Sequence, residues 1–154
     1  MKIQQLVRAE NVFLDLVAQE LRQALDEVAQ RIAPIAGLDT GIVLNELLAR
    51  EKLGSTSVGE GFAIPHCKID DLKEIVVSLA RFREPVEFAA ADEQKVRFLF
   101  VVLSPPDQPA AHLQVLSQIA RVLKGPELRA DLLEAADAHE AVGLLGGAAD
   151  AEGL

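Results

Sequence analysis

Three histidines occur in the chain, His66, His112 and His139, and two of them stand where an imidazole could do chemistry. His66 ends the run Ala63-Ile64-Pro65-His66, in which Pro65 restricts the backbone and sets the direction in which the ring departs. It follows Gly54-Ser55-Thr56-Ser57-Val58-Gly59-Glu60-Gly61, a segment with three glycines and three hydroxyl side chains. Backbone N–H groups in such a loop can hold an anion. The plainer reading of His66 is a structural histidine at a strand end. His112 falls in the first turn of a helix, where the dipole disfavours imidazolium and favours an approaching anion. Its plainer reading is a rim residue beside an apolar stripe. Arg50 closes a helix just before the glycine-hydroxyl loop. It either compensates the helix dipole or reaches a phosphoryl group with its guanidinium fork. Glu60 either holds that arginine or is solvated, and His139 reads as a surface residue.

Other chemistries fail on spacing. Gly54-x-x-x-x-Gly59 continues with Glu60-Gly61 rather than Lys and Ser/Thr, so a nucleotide-binding loop lacks its cation. His66 and Cys67 are adjacent, and neighbours on an extended chain point to opposite faces, which argues against a Cys–His catalytic pair. A metal site built from His66, Cys67 and His112 has no familiar zinc spacing. No Ser–His–Asp order or paired-carboxylate motif stands out.

The elements that must position these residues follow from periodicity. Val17, Leu21, Leu25, Val28 and Ile32 predict a helix over 16–33, with Asp15 as N-cap and Pro34 and Gly37 as its end. Asp39 starts a second helix that turns Val43, Leu44, Leu47 and Leu48 inward and reaches Arg50 and Lys52 before Gly54. Strands are expected at 62–64, 75–82 and 96–103. The last is nearly all apolar, interrupted only by Arg97, and therefore belongs at the centre of a sheet covered on both faces. Ser104-Pro105-Pro106-Asp107-Gln108-Pro109 turns into a third helix with Leu113, Leu116, Ile119 or Ala120, and Leu123 inward, stopped by Gly125-Pro126. Weaker helices are expected near 127–135 and 139–145, then a frayed tail over 147–154. The interleaving gives an α/β class, with helices on both faces of one sheet and a single domain over 1–146.

Composition sets outer limits. The chain has 154 residues, 50% of them hydrophobic, and 24 acidic against 15 basic side chains give a formal charge of -9. One ordinary core suffices at this length. The lone Cys67 rules out an internal disulfide framework and suits a reducing compartment. No apolar run approaches the roughly 18–20 residues that span a bilayer, and the N-terminus lacks a signal-peptide h-region, so the expected location is the cytoplasm without membrane insertion. The acidic balance and the absence of Tyr and Trp argue against nucleic acid as a partner.

The stretch from Arg50 through Gly54-Ser55-Thr56-Ser57 to Pro65-His66 closely resembles the active-site signature of type-2 enzyme IIA domains, the fructose/mannitol group of the bacterial phosphoenolpyruvate-dependent phosphotransferase system. Pro105-x-Asp107-Gln108 through His112-Leu113-x-x-Leu116 resembles the second motif of that group, and the order of elements matches from about Gln5 to Leu145. Gly54-Ser55-Thr56 looks most like the nitrogen-regulatory form. The resemblance implies a three-layer sandwich built on a mixed sheet. It implies that His66 accepts a phosphoryl group from a histidine-phosphorylated HPr-like carrier protein. His112 would position that group, Arg50 stabilise its charge and Glu60 orient the arginine. Ser55, Thr56, Ser57 and Pro65 would support the site, and no metal or nucleotide cofactor would be needed. Two positions depart from the group's habit: Cys67 stands for glycine and Phe62 for an aliphatic residue. The chain carries no appended IIB or IIC region, so the expected role is regulation through phosphotransfer to a target protein. The alternatives are a fructose-type transport component passing phosphate to a separate IIB component, or a regulatory binding module without onward transfer.

Overall fold

The computed structural model describes residues 2–88 and 95–154. Its centre is a mixed sheet of β1 (Val12–Leu16), β2 (Ser57–Gly59), β3 (Phe62–Ala63), β4 (His66–Lys68), β5 (Val76–Val86) and β6 (Val96–Ser104). The strands run in the order β1-β5-β6-β3-β2, and β4 also pairs with β6. β6 is antiparallel to β5 but parallel to β3 and β4, while β1 runs parallel to β5. The central place of β6 accounts for its composition. Leu99, Val101 and Leu103 enter one core while Phe98, Phe100 and Val102 enter the other. A strand buried on both faces has no solvent side to mark with polar residues.

Helices α2 (Leu21–Ala36) and α3 (Thr40–Lys52) cover the first face. Helices α1 (Ile3–Leu6), α4 (Pro109–Val122), α5 (Pro126–Glu134) and α6 (Ala138–Ala151) cover the second. The expected three-layer α/β sandwich is therefore the fold. Among the described residues, no helix is long and apolar enough to cross a membrane.

Several sequence-based boundaries need correction. The helix expected from residue 16 begins at Leu21, because Val12–Leu16 is a strand paired with β5. Asp15 is therefore not a helix cap. It lies at φ 61° where the β1 register breaks, and Glu20 caps α2 instead by accepting from the amides of Arg22 and Gln23. Val17 fits the helical spacing but is 66% exposed, so its agreement with the stripe was coincidental. Pro34 sits inside the last turn of α2 rather than ending it. The end comes at Gly37, φ 71°, where the Leu38 amide donates to the Ala33 carbonyl.

β5 runs on past 82 to Val86, across a register shift between Arg81 and Val86. On α4 the expected Ile119 and Leu123 are buried and Leu116 packs against the core, but Leu113 is 65% exposed, and His112, Val115 and Val122 are buried as well. The tail expected to fray continues α6 to Ala151. Gly146 and Gly147 disfavour a helix by about 1 kcal/mol each, yet Leu145 and Ala149 are buried, and Gln4 Nε2 holds the Leu154 carbonyl at 2.9 Å. Packing against α1 outweighs propensity there.

Candidate functional site

The final turn of α3 and the end of β6 converge on His66. Asp39 caps α3 by accepting from the Ile42 amide at 3.0 Å, which fixes the helix whose last turn carries Arg50. Backbone bonds hold the approach to β4: Ile64 N–H donates to the Thr56 carbonyl at 3.0 Å, and Val102 N–H to the Pro65 carbonyl at 3.0 Å. Pro65 is buried between them. His66 is thus attached to the central strand.

The ring of His66 is held in one tautomer. Its Nδ1 lies 2.7 Å from the Ile64 carbonyl oxygen, which can only accept, so Nδ1 bears the proton. The lone pair is left on Nε2. Arg50 Nε–H donates to that atom at 3.3 Å, while Arg50 Nη1 donates to the Gly54 carbonyl at 2.9 Å. His112 approaches from α4, with ring centroids 5.5 Å apart and an interplanar angle of 54°. Its Nδ1 is 2.5 Å from Ser104 Oγ at the end of β6.

Electrostatics keep both rings neutral. Burial lowers the pKa of His66, and Arg50 pushes the same way; the bond to Ile64 and the charge of Glu51 oppose them. Burial also lowers the pKa of His112, reinforced by His66 and Lys68. A neutral imidazole whose Nε2 lone pair meets only a guanidinium N–H is a nucleophile set beside an anion holder.

The glycine-hydroxyl loop is folded by its own side chains. Ser55 Oγ accepts from the Ser57 amide at 3.1 Å, and Ser57 Oγ from the Gly59 amide at 3.3 Å. Thr56 is buried; its hydroxyl donates to Glu51 Oε1 and its amide to Glu51 Oε2 at 3.2 Å. Glu60 is exposed at the β2–β3 turn, at φ 59° between Gly59 and Gly61. Arg50, His66 and His112 therefore come together, and the loop of Ser55, Thr56 and Ser57 closes over the end of α3.

Sequence reasoning missed Glu51 and Ser104. The signal for Ser104 was a hydroxyl ending an apolar strand shortly before His112. That for Glu51 was a carboxylate facing the loop from the last helical turn. Cys67 points away from the site into the α2/α3 core, and burial, with a smaller push from Glu46, raises its pKa to about 12. Among the described residues, no cluster of three or more His, Cys, Asp or Glu side chains is arranged to hold a metal ion.

Comparison with known proteins adds to this geometry. The family model for the phosphoenolpyruvate-dependent sugar phosphotransferase system, EIIA 2, matches residues 5–146. A nitrogen regulatory protein of Bradyrhizobium diazoefficiens is 38% identical over 139 residues, covering 90% of this chain and 91% of the relative. One of Pseudomonas aeruginosa is 32% identical over 142 residues, covering 92% of each. The crystal structure of nitrogen regulatory protein IIA-Ntr from Neisseria meningitidis superposes with a TM-score of 0.88 at 31% identity, over 93% of this chain and 98% of that one.

Proposed function

The chain belongs to the EIIA 2 family of the phosphoenolpyruvate-dependent sugar phosphotransferase system, and from that premise we propose that it is a nitrogen-type regulatory phosphocarrier phosphorylated on His66. The donor is an HPr-like protein carrying a phosphohistidine. The observation that carries this reading is the Ile64 carbonyl at 2.7 Å from His66 Nδ1, which leaves Nε2 as the attacking atom.

In the transfer, the Nε2 lone pair forms a bond to phosphorus as the donor's N–P bond breaks, and the electron pair of that bond stays on the donor imidazole. No proton need move between the two rings. Arg50 shifts its N–H from Nε2 to the phosphoryl oxygens, and His112 faces the same group with the ring edge not engaged by Ser104. Positioning and charge stabilisation supply the catalysis, without metal or nucleotide. A protein donor also needs a surface, and Leu53 and Val58 are 85% and 51% exposed beside the loop, with Leu113 next to His112. Exposed apolar side chains on the loop and on the helix that carry the site residues suit docking of another protein. The acceptor is a regulated target protein, and the carrier acts in the cytoplasm. Residues 1–146 form the phosphocarrier unit, to which the end of α6 adds packing.

A sugar-transport reading, with onward transfer to a separate IIB component, is favoured by the family's description. One experiment addresses both. The protein is mixed with labelled phosphoenolpyruvate and the two general carrier proteins, with and without a IIB component. Acid-labile, alkali-stable label should appear on the protein and vanish in His66→Ala; label that survives the substitution would overturn the assignment. Discharge by IIB would favour transport, and stable label in its presence favours regulation.

A further inference from the structure

The reaction derived above leaves one cation beside the two imidazoles without a role. Lys68 ends β4, and its register partner on β6 is Ser104, as Val102 is the partner of His66. Side chains alternate along a strand. Cys67 enters the α2/α3 core, so His66 and Lys68 share the opposite face, and Val102 enters the core on that same face. Paired residues of neighbouring strands share a face. Lys68 therefore lies beside Ser104, whose hydroxyl meets His112 Nδ1 at 2.5 Å. The charge of Lys68 is felt at His112, where it acts with burial to keep that ring neutral.

Lys68 is exposed, and among the described residues no carboxylate lies within ion-pairing distance of it. Residues two apart on a strand are separated by about 6.6 Å, a gap that a four-carbon lysine stem bridges. A phosphoryl group on His66 Nε2 would bring a concentrated negative charge into reach of an ammonium that forms no ion pair among the described residues.

We propose that Lys68 is a further catalytic residue of this site, its ammonium contacting the phosphoryl oxygens from the side opposite Arg50 while the group passes to His66 and resides there. The inference rests on His66 being the phosphorylated residue. Lys68 makes and breaks no covalent bond and keeps its protons throughout. It supplies a compact, rotatable point charge where Arg50 supplies a fixed fork, so the two cations complement rather than duplicate one another.

The test is single-turnover transfer from the phosphorylated HPr-like donor to wild type, Lys68→Gln and Lys68→Arg, over a range of donor concentrations and at two ionic strengths. Lys68→Gln should transfer about tenfold more slowly at saturating donor, with half-saturation unchanged, and Lys68→Arg should recover most of the rate. A loss confined to half-saturation and abolished by salt would overturn the proposal, because it would make Lys68 a docking charge only. An unchanged saturating rate would overturn it too. The titration of His112, followed by NMR, provides a readout independent of transfer. It should move upward in Lys68→Gln and return in Lys68→Arg, whereas an unmoved titration would place Lys68 away from the site. Absence of label on His66 of the wild type would instead remove the phosphocarrier reading itself, so the two failures are distinguishable.

Discussion

Arg50 donates from Nε to the same nitrogen of His66 that carries the lone pair, at 3.3 Å. The guanidinium therefore occupies the direction from which phosphorus would arrive in the proposed transfer. It also helps keep the ring unprotonated, alongside the larger effect of burial. In the proposed transfer the ring would stay neutral and covered until a donor brought the anion that draws Arg50 away. The bond to the Gly54 carbonyl keeps the guanidinium tethered to the loop during that exchange.

Replacing Arg50 separates its chemistry from its place in the helix. Arg50→Ala should lose about 2–4 kcal/mol of transition-state stabilisation, roughly 30- to 1,000-fold in transfer rate. The helix end loses a terminal cation worth about 0.3–1 kcal/mol, so the melting temperature should stay within a few degrees of wild type. Rapid-quench labelling and a thermal melt check the two halves, and a variant that unfolds would return Arg50 to a purely structural role.

Ser104 and His112 should behave as a pair. Ser104→Ala removes the hydroxyl that fixes Nδ1 and costs about 1 kcal/mol of stability, while leaving the imidazole free to turn. Transfer should slow several-fold, or the phosphohistidine should hydrolyse sooner. His112→Ala should show a larger effect of the same kind with the fold retained. Single-turnover rates and the lifetime of the adduct give the comparison, and unchanged values in His112→Ala would make that ring a spectator.

The histidines also set a pH dependence. Both pKa values are lowered from the ordinary value of 6.5, so the unfolded chain binds more protons than the native one once the pH drops below that value. Their contribution to stability is complete above about pH 6.5 and is lost as pH falls through the native values. Urea unfolding between pH 7.5 and 5 should show this decline, and a His66→Ala, His112→Ala double variant should flatten it. A wild-type profile no steeper than that of the double variant would contradict neutral burial.

Cys67 should be inert in the native state. With its pKa raised to about 12, roughly one thiol in ten thousand is ionised at pH 8. Iodoacetamide should alkylate it quickly in denaturant and barely at all without it. Cys67→Gly should leave transfer through His66 unchanged, as measured in the same labelling assay.

The sequence made the site's chemistry more legible than its supports. His66, Arg50 and His112 were visible because their side chains stand at a proline-directed strand end, a helix C-terminus and a helix start, where residue type and position speak together. Their partners were less visible because the bonds that matter run to backbone or across the sheet. Nothing local marks the Ile64 carbonyl as the group that fixes a tautomer, and Ser104 acquires its role only when α4 folds back beside β6. The helix assigned from residue 16 shows the opposite error. Val17 continues the 3.6-residue stripe, but backbone pairing with β5 claims Val12–Leu16 first. On α4 Leu116 and Leu123 face inward as their spacing suggests, but Leu113 does not; His112 takes the inward place at that turn, where its Nδ1 meets the hydroxyl at the end of β6.

The two imidazoles owe their spacing to a single strand, since Val102 anchors the approach to His66 and Ser104 anchors His112, both on β6. The candidate site is consequently gauged by one strand, which serves as a common ruler for both rings. Slipping β4 along that ruler by one residue would rotate the nucleophile into the oil beneath the sheet and present a thiol in its stead. A phosphoryl group taken up on His66 in the proposed reaction would therefore be displayed from the end of that strand, beside His112.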